Sequence, residues 1–203
     1  MSEQKKAPAP LSKDEIKALP PFDALMRDAV VLVCDEATMH AACRQLLEQP
    51  VLGFDTESRP TFRVGEVSTG PHLLQLATPS QAYLFQLEKL GDLAPLRALM
   101  AAPMVHKVGF GLSSDKVLLK SKLDIDCAAV HDIGTLFRQA GARHTVGAVQ
   151  AVAQLFGRHY RKSKRLSTSN WASATLSDAQ CLYAANDAYV ALRVYLALAG
   201  GAR

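Results

Sequence analysis

Val51-Leu52-Gly53-Phe54-Asp55-Thr56-Glu57 runs from a short apolar stretch into two carboxylates spaced i, i+2. An apolar run of this length reads as a strand buried on both faces. Strand side chains alternate in direction, so Asp55 and Glu57 emerge on the same side of the sheet. Two like charges a few ångströms apart raise each other's pKa unless a cation lies between them. The plain reading is a strand end that runs into a polar loop. The sharper reading is half of a metal site, and the rest of the chain has to decide between them.

Upstream, Ala29-Val30-Val31-Leu32-Val33 reads as another strand, and Asp35 caps a helix carried by Met39, Cys43, Leu46 and Leu47. Downstream, the Gly-, Pro- and Ser-rich stretch 58–71 reads as a loop facing the substrate side. Two apolar runs, 72–77 and 82–87, flank Thr78-Pro79-Ser80-Gln81 and predict an antiparallel hairpin, which extends the first strand into a three-strand antiparallel unit. A helix near 93–100 and a strand at 104–108 follow. Gly109 and Gly111 then make a tight exit into a helix that carries Asp115 in its first turn. There the helix macrodipole tolerates an acid, so a simple helix-start aspartate remains open. The two glycines form neither a dinucleotide fingerprint nor a Walker loop.

The stretch 125–130 reads as a further strand, with helices from Ile133 and over 146–156 behind it. Ser177 and Gln180 form a capping box for a last helix that ends near Ala199, before Gly200-Gly201. On that helix Tyr183 and Asp187 are four residues apart and share a face among small and apolar neighbours. A structural Tyr–Asp hydrogen bond explains such a pair as readily as chemistry does.

At 203 residues, 49% hydrophobic and 21% charged, the chain has the composition of an ordinary globular domain. Residues 1–25, rich in Lys, Ala, Pro and Ser, read as a flexible arm, leaving 26–203 as the folded domain. The net charge of +4 is modest, but five Lys or Arg fall within 158–165, a local excess suited to phosphate backbones. The four cysteines are scattered without zinc spacing and read as reduced thiols. No stretch is long and apolar enough to span a bilayer and no signal peptide is evident, so the expected location is cytoplasmic. His131, His144 and His159 show no ligand spacing, and Trp171, between a cap signal and the basic segment, reads as structural.

Three motifs in order, Phe54-Asp55-Thr56-Glu57, then Val108-Gly109-Phe110-Gly111-Leu112-Ser113-Ser114-Asp115, then Tyr183-Ala184-Ala185-Asn186-Asp187, resemble those of the DEDD exonucleases, in their DEDDy branch. The resemblance covers about residues 30 to 198 and is nearest to the Werner-syndrome exonuclease domain and its bacterial relatives, with ribonuclease D more distant. Lys107 before the glycine exit and Ser169-Asn170-Trp171 before the last helix suit that subgroup, whereas Asn186 departs from it.

The resemblance implies an α/β, ribonuclease H-like fold: a mixed sheet of three antiparallel strands plus parallel strands, flanked by helices. It implies 3′–5′ exonuclease activity on DNA or RNA with a free 3′ end, releasing nucleoside 5′-monophosphates. Asp55, Glu57, Asp115 and Asp187 would then hold two divalent ions, Mg²⁺ or Mn²⁺, and Tyr183 would orient the attacking water. Beside this, Lys162, Lys164 and Arg165 are candidate contacts to the nucleic-acid backbone, and Phe62 is a candidate stacking residue. The rival expectations are a catalytically silent nucleic-acid-binding module of the same fold and a metal-dependent phosphatase of small molecules.

Overall fold

The structure, a computed structural model, describes residues 10–61, 63, 65–142 and 144–200. Six strands form one sheet: β1 (Val30–Val33), β2 (Val51–Glu57), β3 (Leu73–Ala77), β4 (Ala82–Gln86), β5 (His106–Gly109) and β6 (Val130–Asp132). Their spatial order is β1-β4-β3-β2-β5-β6. β2, β3 and β4 run antiparallel to their neighbours within the unit, while β1 joins β4, β5 joins β2 and β6 joins β5 in parallel. The hairpin turn over 78–81 is closed by the Thr78 amide on the Gln81 carbonyl, 2.8 Å, as its turn residues predict.

Among the described residues eight α-helices accompany the sheet: α1 (Lys13–Ala18), α2 (Glu36–Leu47), α3 (Ala94–Ala101), α4 (Ser113–Leu123), α5 (Ile133–Gln139), α6 (Ala148–Phe156), α7 (Lys164–Ser167) and α8 (Asp178–Gly200). The alternation along β2 sorts them. Leu52 and Phe54 point to one face and pack with Met39 and Leu46 of α2 and Leu96 and Leu99 of α3. Gly53, Asp55 and Glu57 point to the other face, which α8 crosses. Gly53 is what lets α8 lie so close: a Cβ at that position would stand 1.9 Å from the Ala188 carbonyl oxygen. The helix backbone therefore rests on the strand one residue away from Asp187.

Two expectations change. Of the arm expected at 1–25, residues 1–9 lie outside the described residues, and 10–25 are anchored to the domain. Ser12 and Glu15 form a capping box for α1, Ile16 is buried, and Phe22 packs against the rings of Phe156, Tyr160 and Tyr189. Only a few apolar anchors hold this segment, so its overall composition disguises it. The strand expected at 125–130 is displaced to β6. Asp124 closes α4 in the left-handed region at φ 52°, Ile125 plugs the core as a loop residue, and Asp126 stays outside, 2.9 Å from Lys120 Nζ. No helix among the described residues is long and apolar enough to cross a membrane.

Candidate active site

The parallel pairing of β2 and β5 points the carboxyl ends of both strands toward the same edge of the sheet, and α8 passes over that edge. Asp55 and Glu57 sit at the end of β2, and Asp115 in the first turn of α4, just after the exit from β5. Tyr183 and Asp187 come from the first half of α8, both buried. The chain thus brings the five sequence-predicted residues to one edge, and Asp55, Asp115 and Asp187 interact electrostatically.

Burial, reinforced by the Asp187 charge and offset in part by Lys162, pushes the Asp55 carboxyl up to about 8. Burial, then Asp55 and Asp187, push Glu57 up to about 9. Asp187 is held at both oxygens: the Tyr160 hydroxyl donates to Oδ1 at 2.7 Å, and Lys162 Nζ stands 2.9 Å from Oδ2. The Lys162 approach does not line up as a hydrogen bond, so Oδ2 is neutralised by charge while its directional bonding stays unmet. Burial opposes the Lys162 charge, but Asp187 outweighs it and keeps the lysine above its ordinary pKa. Burial and Asp187 likewise raise both Tyr160 and Tyr183, so each phenol keeps its proton at neutral pH.

Asp115 faces a different partner. The Thr56 hydroxyl, on the opposite side of β2 from Asp55, donates to Asp115 Oδ1, and Ser114 Oγ lies 3.4 Å from Oδ2. Across the sheet from Asp55, Gln75 is fully buried with neither amide atom paired. Thr56, Gln75 and Tyr160 were not among the expected site residues. Their alliances span 27 or 59 residues or a strand register, and no local spacing encodes them.

A cavity of about 510 Å³ opens beside Asp55, Asp187 and Lys162, with Ile16, Phe110 and Val149 among its apolar walls. Lys13 and Ile16 belong to α1, so the N-terminal segment supplies one side of the site. Gln150, its amide turned to suit, pairs with both backbone groups of Leu11 and ties that wall to α6. Lys164 and Arg165 open α7 and are exposed, and Phe62 lies outside the described residues. Trp171 is buried against the Tyr183 ring at a centroid distance of 5.9 Å, a packing wedge as its sequence setting predicts.

Among the described residues no three Asp, Glu, His or Cys side chains are arranged to hold a metal ion. The donor set nevertheless fits a hard divalent cation. It comprises four carboxylates, two of them driven toward protonation, one with an oxygen that lacks an aligned partner, and an ammonium standing where positive charge is needed.

The family model described as 3′–5′ exonuclease matches residues 30–200. The Mus musculus bifunctional 3′–5′ exonuclease/ATP-dependent helicase WRN is 26% identical over 153 residues, 74% of this chain and 11% of that protein. A ribonuclease D of Acidiphilium cryptum is 31% identical over 160 residues, 77% of this chain and 39% of that protein. The Aedes aegypti Nibbler EXO domain superposes with a TM-score of 0.76 at 24% identity, covering 87% of this chain and 89% of the other. Trypanosoma brucei RNase D in complex with RNA U12 gives 0.75 at 18% identity, covering 92% and 65%. These superpositions establish the fold. This chain covers 11%, 52% and 25% of the lengths of three curated relatives, so it corresponds to one part of each.

Proposed function

Because the chain belongs to the 3′–5′ exonuclease family, we propose that it hydrolyses the terminal phosphodiester of DNA or RNA from a free 3′ end and releases nucleoside 5′-monophosphates. The observation that carries this reading is the pairing of half-buried Asp55 of β2 with buried Asp187 of α8 at the wall of an open cavity. Asp55, Glu57, Asp115 and Asp187 would hold two divalent ions, Mg²⁺ or Mn²⁺. Such ions, when bound, lower the pKa of a coordinated water and offset charge on the phosphoryl and leaving oxygens.

The protein's own residues do the rest. Tyr183 keeps its proton, so its hydroxyl serves as an orienting hydrogen-bond partner for water rather than as a base. The cavity falls within the roughly 300–1,000 Å³ typical of small-ligand sites, which suits one terminal nucleotide rather than a duplex. Ile16, Phe110 and Val149 offer apolar surface to a base, and the α1 wall favours an end over an interior bond. Exposed Lys164 and Arg165 lie on the segment leading into α8, where they would meet backbone phosphates.

The test uses 5′-labelled single- and double-stranded DNA and RNA with Mg²⁺, Mn²⁺ or EDTA. A ladder of shortened products is expected, dependent on the ion and lost in Asp55→Ala and Asp115→Ala. Binding without a ladder on any substrate would replace this reading with a silent nucleic-acid-binding module.

A further inference from the structure

Lys162 occupies an unusual position. Its side chain is 39% exposed and reaches inward from the solvent side, whereas the carboxylate it meets, Asp187, is only 3% exposed. The ammonium also lies over the Tyr183 ring, 5.6 Å from the centroid, so one cation touches two residues assigned to the site.

The chain around it has a part pinned by backbone bonds to the N-terminal segment and a part of irregular chain. At His159 the backbone is pinned on both sides: its amide donates to the Pro20 carbonyl at 2.8 Å, and its carbonyl accepts from the Phe22 amide at 3.0 Å. Tyr160, packed against Phe22, therefore delivers its hydroxyl to Asp187 Oδ1 from a rigid base. Residues 161–163 carry no helix or strand before α7 begins at Lys164. Tyr160 sets the direction of the Asp187 carboxylate, while Lys162 supplies charge from irregular chain on a long, flexible stem.

Buried acids repel one another and need a positive charge among them. A divalent ion would meet that need, and in its absence Lys162 does. We propose that Lys162 is a built-in stand-in for a divalent ion: its ammonium neutralises Asp187 Oδ2 in the ion-free protein and yields that oxygen when an ion binds. Lys162 is then a positioning residue that sets ion affinity, and the released ammonium is left at the cavity mouth, where a substrate phosphate would enter. This rests on reading Asp187 as an ion ligand.

Mn²⁺ binding measured by calorimetry, without substrate, separates the possibilities. Removing an internal competitor raises apparent affinity by the inverse of the fraction of molecules it had left free; with Lys162 holding about nine-tenths of them, Lys162→Met should bind Mn²⁺ about tenfold more tightly than wild type. Lys162→Arg, which keeps a cation, should stay within about twofold of wild type. Equal affinity in wild type and Lys162→Met, or weaker binding in the variant, overturns the stand-in role while leaving the acid site intact. Absence of Mn²⁺ uptake by wild type and variant alike overturns the ion-site reading, and this proposal with it.

A second measurement needs no variant and so does not depend on one folding. In ¹⁵N-lysine-labelled wild type, one side-chain ammonium resonance should be held in EDTA and move on titration with Mg²⁺. A lysine spectrum unchanged at saturating Mg²⁺ refutes the displacement.

Discussion

Two buried charges in this molecule are handled in opposite ways. At the carboxyl ends of β2 and β5, Asp55 and Asp187 line an open cavity with Lys162 between them and solvent, and Asp55 and Glu57 are pushed far from ordinary carboxylate behaviour. In β5 itself, Lys107 is fully buried, with its ammonium donating to the Ala102 carbonyl at 2.9 Å and burial depressing its pKa to about 8. The first arrangement crowds acidic groups beside open space. The second isolates one charge and seals it. A strained titratable group is a mark of function when it is clustered and reachable, and a feature of packing when it is alone.

The widest gap between the two regions is in activity. Asp55→Ala and Asp187→Ala should each lower kcat by about a thousandfold or more, whereas Lys107→Met should leave kcat within about twofold. An active Asp187→Ala enzyme would break the comparison at its charged end, and steady-state hydrolysis of a labelled 3′ end reads it. Within the cluster, Tyr183→Phe should reduce kcat by about 10–100-fold with KM nearly unchanged, because it removes an orienting hydroxyl and keeps the ring that packs on Trp171. Equal losses in kcat and in nucleic-acid affinity would instead make Tyr183 a binding residue.

Acidity gives a third contrast. In the ion-free folded protein Asp55 and Glu57 hold their protons up to about pH 8 and 9, against ordinary values of 3.8 and 4.5. The native state thus binds more protons than the unfolded chain across that window, so stability falls as pH rises from about 5 to 9. Thermal melting in EDTA should show this decline, and Mg²⁺ should flatten it. A melting temperature that rises with pH in EDTA would contradict it. The smallest effect is expected at the solitary charge. Lys107→Met exchanges a sealed ammonium for an apolar chain of similar length and should be neutral or stabilising by about 1–2 kcal/mol in urea unfolding.

Local chemistry made much of this legible in the sequence. Asp35 caps α2 through the Thr38 amide, and Ser177 with Gln180 opens α8, as capping rules require. The i, i+2 and i, i+4 spacings placed Asp55 with Glu57 and Tyr183 with Asp187, because strand and helix periods are short-range facts. What stayed hidden depends on distant partners. Tyr160 and Lys162 read as part of a basic segment, and only folding brings them onto Asp187. Ile16 and Phe22 sat in a stretch whose composition signalled disorder, yet two apolar anchors and a capping box were enough to fasten it.

The close seating of α8 on β2 at Gly53 has a consequence for tolerance to change. A missing methyl group acts as a spacer of zero thickness, and the gap between strand and helix is also the gap between Asp55 and Asp187. Any side chain there would wedge the two apart by an ångström or more, a shift large on the scale of ion–oxygen bonds yet small on the scale of a fold. Gly53→Ala would thus be expected to produce a protein that still has its sheet and its helices but has lost the calibration of its acids.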